Sequence, residues 1–229
     1  MGDNIISYHD MCGREGRSLQ QGMNFGVNNN HSVILMSFRP NAPYRDRIED
    51  GGTTLIYEGH DIPKSAACPN PKAIDQSAVY PTGGLTQNGK FHHAAESYKA
   101  GQRQAERVRA YEKLRQGIWA YNGIFLLIDS WTEKDRLRNV YKFKLVAIEG
   151  DEDFAKPIRP DVERRRVIPT HVKLEVWKRD GGKCAICGSS DELHFDHILP
   201  FSKGGTSLTA ENVQILCARH NLQKRDHIE

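Results

Sequence analysis

Cys184-Ala-Ile-Cys187, Leu193-His194-Phe195-Asp196-His197, Asn212 and Leu216-Cys217-Ala-Arg-His220-Asn221-Leu-Gln-Lys224 follow one another between Lys183 and Lys224 and decide how the rest of the chain is read. Cys184 with Cys187 and Cys217 with His220 are two ligand pairs, each with two residues between its members. At that spacing a tight turn aims both side chains at one tetrahedral ion, so these four are expected to form a structural Zn²⁺ site. Between the pairs lie groups that zinc has no use for. Asp196 and Asn221 offer hard oxygens, which suit Mg²⁺ or Mn²⁺. His197 can take up a proton near neutral pH and, beside a metal-bound phosphate, activate a water. A base and a cation on the phosphate are the minimum equipment for hydrolysing a phosphodiester. A zinc knuckle that used its metal only to fold would need neither the Asp196-His197 pair nor the Gly204-Gly205 loop and Asn212 beyond it.

The pattern resembles the HNH nucleases, whose ββα-metal fold holds Asp-His on one strand, Asn in the connecting segment and His or Asn on the closing helix. Asp196-His197-Ile198-Leu199-Pro200, Ser202-Lys203-Gly204-Gly205, Asn212 and the run from Leu216 to Lys224 match it in order and spacing. The resemblance implies that His197 is the general base, that Asp196 and Asn221 hold the catalytic ion, and that Asn212 orients the base or its loop. Two positions depart from the commonest form: His220 replaces a cysteine of the closing zinc pair, and Asn221 replaces the last histidine. A neutral amide is the weaker ligand, so firm binding of the catalytic ion is expected only with DNA in place.

At 229 residues the chain has room for two modest domains, each with its own core. A net charge of +3 gives no global field, so any nucleic-acid contact must come from local patches. Three of the five cysteines belong to the zinc pairs, and Cys12 and Cys68 lie far apart in unlike contexts, which suggests no disulfide framework and fits a reducing cytosol. The start, Met1-Gly-Asp-Asn-Ile-Ile-Ser, lacks the basic and apolar regions of a signal peptide, and no apolar run approaches membrane-spanning length. A soluble protein of the bacterial cytoplasm is expected.

Residues 1 to about 30 are rich in Gly, Asn and Gln and read as loops with one short helix. Strands are expected over Ser32–Phe38 and Thr53–Tyr57, a loop excursion over 61–90, and a helix over Phe91–Lys99. In Arg107–Arg115, Val108, Ala110 and Leu114 share one strand face, and Arg107, Arg109, Tyr111, Lys113 and Arg115 share the other. Ile118–Ser130 and Val140–Ile148 read as two more strands, and the set suggests a curved sheet or barrel. From Glu149 to Pro169 the sequence turns to charge and proline without periodicity, as a linker does. His171–Arg179 should be a helix with Thr170 as its N-cap.

Ser32-Val-Ile-Leu-Met with Tyr44-Arg-Asp46, Asp50 to Tyr57-Glu58-Gly59-His60-Asp61, and Val108-Arg-Ala-Tyr to Trp119-Ala-Tyr121-Asn122-Gly123 resemble the SRA (SET- and RING-associated) domain. That family flips a modified cytosine out of duplex DNA. Its Tyr-Asp-Gly signature is Tyr121-Asn122-Gly123 here, and the threonine after its second pocket aromatic is Glu58. A flipped base needs two π faces to replace its lost stacking and acceptors for the exocyclic amine that marks cytosine. Tyr44 and Tyr57 are the candidate rings, with Asp46 and Glu58 as acceptors; the alternative is that the tyrosines are core and the acids are turn residues. Arg107, Arg109, Lys113 and Arg115 would suit backbone phosphates.

The expected fold class is α+β. An SRA-like (PUA-like) curved β-barrel domain with flanking helices would occupy residues 1–150, a linker 151–170, and a small zinc-stabilised ββα-metal HNH domain 171–229. Together the resemblances imply a modification-dependent restriction endonuclease cutting double-stranded DNA that carries 5-methylcytosine or 5-hydroxymethylcytosine. Its cofactors would be structural Zn²⁺ and catalytic Mg²⁺ or Mn²⁺. One active site cuts one strand, so a homodimer is expected. The rival readings are an HNH endonuclease for an unmodified sequence and a modified-DNA reader that does not cleave.

Overall fold

The computed structural model describes residues 3–28, 30–39, 41–66, 68–135, 138–148, 167–199 and 205–226. Most of the expected linker, up to residue 166, lies outside them, as do Pro200 and Ser202-Lys203-Gly204 of the nuclease-like motif. The described elements run β1 (Asp3–Ser7), α1 (Tyr8–Glu15), β2 (Met23–Val27), β3 (His31–Met36), β4 (Arg47–Glu49), β5 (Thr54–Glu58), α2 (Gln87–Lys99), β6 (Glu106–Arg115) and β7 (Ile118–Asp135). They continue through β8 (Arg138–Ile148), α3 (Thr170–Asp180), β9 (Leu193–His197), β10 (Val213–Cys217) and α4 (Ala218–Asp226). The mixed α+β class and the ββα arrangement of β9, β10 and α4 are as the sequence implies. Among the described residues no helix is long and apolar enough to cross a membrane.

All ten strands belong to one sheet, ordered β10-β9-β1-β7-β6-β3-β2, with β8, β5 and β4 continuing from β7. The long strand β7 pairs with β6 along one edge; along the other it pairs first with β1, from Ile118 to Tyr121, and then with β8, from Ile124 onward. The handover falls at Gly123, whose φ of 95° and the register shift opposite it at Ala110/Tyr111 bend the strand. Tyr121-Asn122-Gly123 is thus a bulge within a strand, where Gly supplies a backbone geometry closed to most side chains.

Expectations for the N-terminus, for α3 and for β6 are corrected. Asp3–Ser7 is a strand rather than loop, because it lies between β7 and β9 and has backbone partners on both sides. Its short sequence carries no such signal. The sheet therefore crosses the division expected between the two halves. The cores cross it too: Leu114 of β6 and Ala120 of β7 pack with Val172 and Val176 of α3 and with Phe195 and Ile215 of β9 and β10. A separate core is built from Tyr57, Phe91, Phe125, Phe143 and their neighbours. In α3, Thr170 is the first helical residue and Pro169 the cap, with no side-chain capping bond.

The last correction concerns β6, whose expected cationic face is partly covered by α1. That helix is capped at its start by Ser7, whose hydroxyl accepts the Asp10 N–H at 3.1 Å, and at its end by Gly16 in left-handed geometry. Beneath it Met11, Leu19, Tyr111, Trp119 and Tyr121 form a third core. Within that core Glu15 is fully buried and accepts from Tyr111 Oη at 2.5 Å and Arg109 Nη1 at 3.1 Å, with His31 Nε2 at 2.6 Å. Burial opposes its ionisation, yet the bonds from His31 and Tyr111 and the charge of Arg109 hold its carboxyl down to about 2.

A carboxylate depressed in the folded state stabilises the protein above its unfolded pKa, and that stability is lost as pH falls through the folded value. Glu15→Gln should therefore lower stability by about 3–5 kcal/mol at pH 7, because the buried charge pair with Arg109 is broken from one side. In urea melts the gap between parent and variant should narrow steadily from pH 5 towards pH 2.

Candidate functional site

β9 and β10 pair antiparallel with Asp196 opposite Gln214 and His197 opposite Val213. This places Asp196 and His197 at the strand end, where the chain leaves for the loop that Asn212 closes. Asn212 accepts the Leu199 N–H at 2.8 Å through Oδ1 and donates through Nδ2 to the carbonyls of Leu199 at 3.0 Å and Thr206 at 2.9 Å. It ties Leu199 to Thr206 through their backbone groups. The imidazole is met instead by Ser207, whose Oγ lies 2.8 Å from His197 Nε2. Gly205 sits so close to this staple that a Cβ there would be 1.8 Å from the Leu199 carbonyl oxygen and 2.8 Å from Asn212 Nδ2.

α4 follows β10 directly and brings His220, Asn221 and Lys224 to the same end. Asn221 is buried. The Lys224 ammonium touches Asp196 Oδ2 and the carbonyl oxygen of His197. The carboxylate that the motif assigns to a metal therefore already engages a cation here. One carboxylate and one amide oxygen are hard donors, the chemistry a Mg²⁺ or Mn²⁺ ion prefers.

Cys184, Cys187, Cys217 and His220 converge, with their ligand atoms all within 4.8 Å of one another. Cys187 Sγ lies 3.9 Å from Cys217 Sγ, and His220 Nδ1 lies 3.4 Å from the sulfurs of both Cys184 and Cys217. Zn–S and Zn–N bonds of about 2.3 and 2.0 Å arranged tetrahedrally give edges of roughly 3.8 and 3.5 Å. The donor set therefore fits zinc in kind and in size. Burial opposes ionisation of Cys184, but backbone N–H groups and His220 aimed at its sulfur bring the thiol down to about 6, so the thiolate that zinc needs is present at neutral pH.

At the far end of the sheet, Tyr44, Asp46, Tyr57 and Glu58 also come together, but not as two open rings with two free acceptors. Tyr57 belongs to the core, and its hydroxyl lies 3.0 Å from the Gly22 carbonyl oxygen, 3.1 Å from that of Leu35 and 2.9 Å from His60 Nε2. His60 stacks on Tyr44 with centroids 4.6 Å apart and an interplanar angle of 6°. Burial lowers its pKa to about 4, so it is neutral. Tyr44 is half-buried, and Lys72 Nζ lies 4.1 Å from its ring centroid. Asp46 Oδ1 accepts the Glu58 N–H at 2.9 Å, and burial raises its carboxyl to about 7. Glu58 is engaged otherwise: Oε2 accepts from Lys142 Nζ at 2.8 Å and from the Arg45 N–H at 3.1 Å. Beside it Asp61 pairs with Arg138 at 2.6 Å and Lys72 at 2.9 Å.

Of the four expected phosphate contacts, Arg109 is turned inward to Glu15. Arg107 and Lys113 are half-buried, with Lys113 Nζ 5.6 Å from the Trp119 ring centroid, and Arg115 is exposed. They do not form one cationic face, because α1 covers part of the strand and a register shift between Lys113 and Arg115 breaks the alternation near its end. Sequence reasoning missed Ser207, Lys224, His60, Arg138 and Lys142. Glu58 and Lys142 are cross-strand partners, visible only once the β5–β8 register is known.

Residues 184–227 match the HNH endonuclease family. No curated protein sequence matches the chain. Among solved structures, the chain is similar to SUVH5 SRA bound to fully hydroxymethylated CG DNA, at 22% identity and a TM-score of 0.45, covering 69% of this chain and 93% of that one. It is similar to the SUVH5 SRA complex with hemi-methylated CG DNA at 23% identity and a TM-score of 0.44, covering 70% and 92%. Against Arabidopsis thaliana SUVH6 the identity is 19% and the TM-score 0.43, over 73% of this chain and 27% of that one.

The tetrahedral edges generate a direct expectation. Purified protein should carry one zinc per chain by elemental analysis, and Cys217→Ser should lose both the zinc and the cooperative melting of β9, β10 and α4, since a metal site of this kind contributes its binding energy to folding.

Proposed function

We propose, from the HNH match and from the fixing of Asp196 and His197 beside it, that the chain is an endonuclease that hydrolyses phosphodiester bonds of double-stranded DNA carrying 5-methylcytosine or 5-hydroxymethylcytosine. The observation that carries the reading is the Asn212 staple. It bonds the backbone of Leu199, two residues after His197, and that of Thr206, and the neighbouring Ser207 meets the imidazole. A zinc module that only added affinity would have no use for such a loop. His197 takes a proton from the attacking water, while Asp196 and Asn221 would hold the divalent ion. That ion, when bound, supplies positive charge to the phosphate as negative charge builds on it. Lys224 would give up Asp196 to it.

The reading of the modified base rests on Tyr44, Asp46 and their neighbours. A flipped cytosine would stack on Tyr44 after His60 has moved from it, with Tyr57 as the floor of the pocket and Asp46 facing the base edge. Glu58 acts one step back, through the N–H that holds Asp46. Two copies of the chain on one duplex would cut both strands. The second reading, an HNH nuclease for unmodified DNA, draws on the closed state of this cluster, in which Tyr57 is core and Tyr44 is already stacked. Digestion of one duplex with and without the modification, with Mg²⁺ or Mn²⁺ present, separates the two: equal cutting would exclude the first.

His197→Ala should reduce cleavage by roughly 10²–10⁴-fold or more, with DNA affinity unchanged; a comparable rate would show that another group is the base. For the reader, Tyr44 is the position to change, because truncating the buried Tyr57 would open a core cavity. Base–aromatic stacking is worth about 1–3 kcal/mol. Tyr44→Ala should therefore lower affinity for the modified duplex by about tenfold at constant salt, and leave affinity for the unmodified duplex as it was.

A further inference from the structure

We infer that the nuclease site is fixed to the base-reading cluster as one rigid body, so that the scissile phosphate lies at a set offset from the recognised base and within about one helical turn of it, roughly 34–36 Å. The inference rests on the proposed function for the identity of the two sites, and on the sheet for their separation.

Two contacts make the joint. β1 pairs with β7 through Asn4↔Tyr121 to Ser7↔Ile118, and with β9 through Asp3↔Phe195 and Asn4↔His194. On one side of this seam Lys173 of α3, fully buried, donates to Glu112 Oε2 at 3.0 Å and to Asn122 Oδ1 at 2.6 Å. A lysine leaving this position would strand Glu112 as a buried charge without its counter-ion, which costs several kcal/mol. Hinge motion of α3 away from β6 and β7 is opposed by that cost, and by the apolar core that α3 shares with Leu114 and Ala120.

The register then gives the distance. Asn4 stands opposite both Tyr121 and His194, and β9 runs parallel to β7, so His197 is level with Ile124. Tyr57 stands opposite Phe143, and Phe143 opposite Ser130. β8 and β1 lie end to end on the same edge of β7, so β5 and β9 each stand two strands out from it on that side, and the two sites are separated by six residues along the strand direction. At about 3.3 Å per residue, the separation within the sheet is about 20 Å. Curvature only shortens the straight line. With phosphates roughly 3.4 Å apart along a strand, about 20 Å spans some six nucleotides.

The test digests end-labelled duplexes carrying one modified cytosine and maps the cuts to single-nucleotide resolution. One cut position per strand is expected, within about ten base pairs of the base on the strand nearer the site. The double variant Lys173→Met/Glu112→Gln, which removes both partners and so leaves no buried charge, should still bind modified DNA and spread its cuts over several adjacent phosphates. Scattered cuts by the parent protein, or a single cut about two turns or more away, would overturn the inference. Amide hydrogen exchange of the full chain without DNA tests the joint alone. Protection of β1 within about tenfold of β7 is expected, and exchange of β1 orders of magnitude faster would overturn the joint whether or not DNA is cut. Equal cutting of unmodified DNA with β1 protected would instead refute the proposed function and leave the joint standing.

Discussion

Buried backbone N–H and C=O groups must find partners, and β7 imposes that demand on the whole molecule. It runs from Ile118 to Asp135, longer than any strand beside it, so no single neighbour can satisfy its second edge. Satisfaction comes from two strands laid end to end: β1 beside the first turns of the strand and β8 beside the rest. β1 in turn exposes its own outer edge, and β9 of the zinc-bearing segment takes it up. The aromatic cluster near Tyr44 and the Asp196-His197 pair are attached to opposite ends of this one arrangement. Their relation to one another is a consequence of strand pairing.

The polar interior follows the same rule with charges. Three of the carboxylates buried among the described residues, Glu15, Glu58 and Glu112, each meet a cation from a remote element: Arg109, Lys142 and Lys173 respectively. Such pairs return little net stability against an apolar replacement, but breaking one is costly. Each ties elements that are remote in sequence. Glu15 of α1 reaches β6, Glu58 of β5 reaches β8, and Glu112 of β6 reaches α3. They act as keys that select one arrangement of the elements over others of similar apolar content.

Local chemistry was legible in the sequence where ligands repeat at short spacing. Cys184, Cys187, Cys217 and His220 converge as their spacing implies, and Asp196, His197, Asn212 and Asn221 sit on the strand, loop and helix that the motif demands. Strands with apolar β-branched runs, such as β3 and β5, were legible for the same reason. Contacts between distant residues were not. Period-two reasoning placed Arg109 on a solvent-facing side because it could not see α1 lying over β6. Tyr57 reads equally well as a stacking ring and as core, and only its burial beside Phe143 and its bonds to the Gly22 and Leu35 carbonyls tell them apart. The strand at Asp3–Ser7 had no local signal at all, since its partners lie more than a hundred residues away.

That last feature bears on how the chain comes into being. β1 precedes every other described element, yet one of its partners begins at Ile118 and the other at Leu193. Contacts of such long sequence separation carry a large loop-closure cost and form late. During synthesis β1 must wait for β9 until residues beyond His197 have left the ribosome. The sheet around β1 is therefore completed only after β9 is made, and the segment before β9 does not finish folding ahead of it.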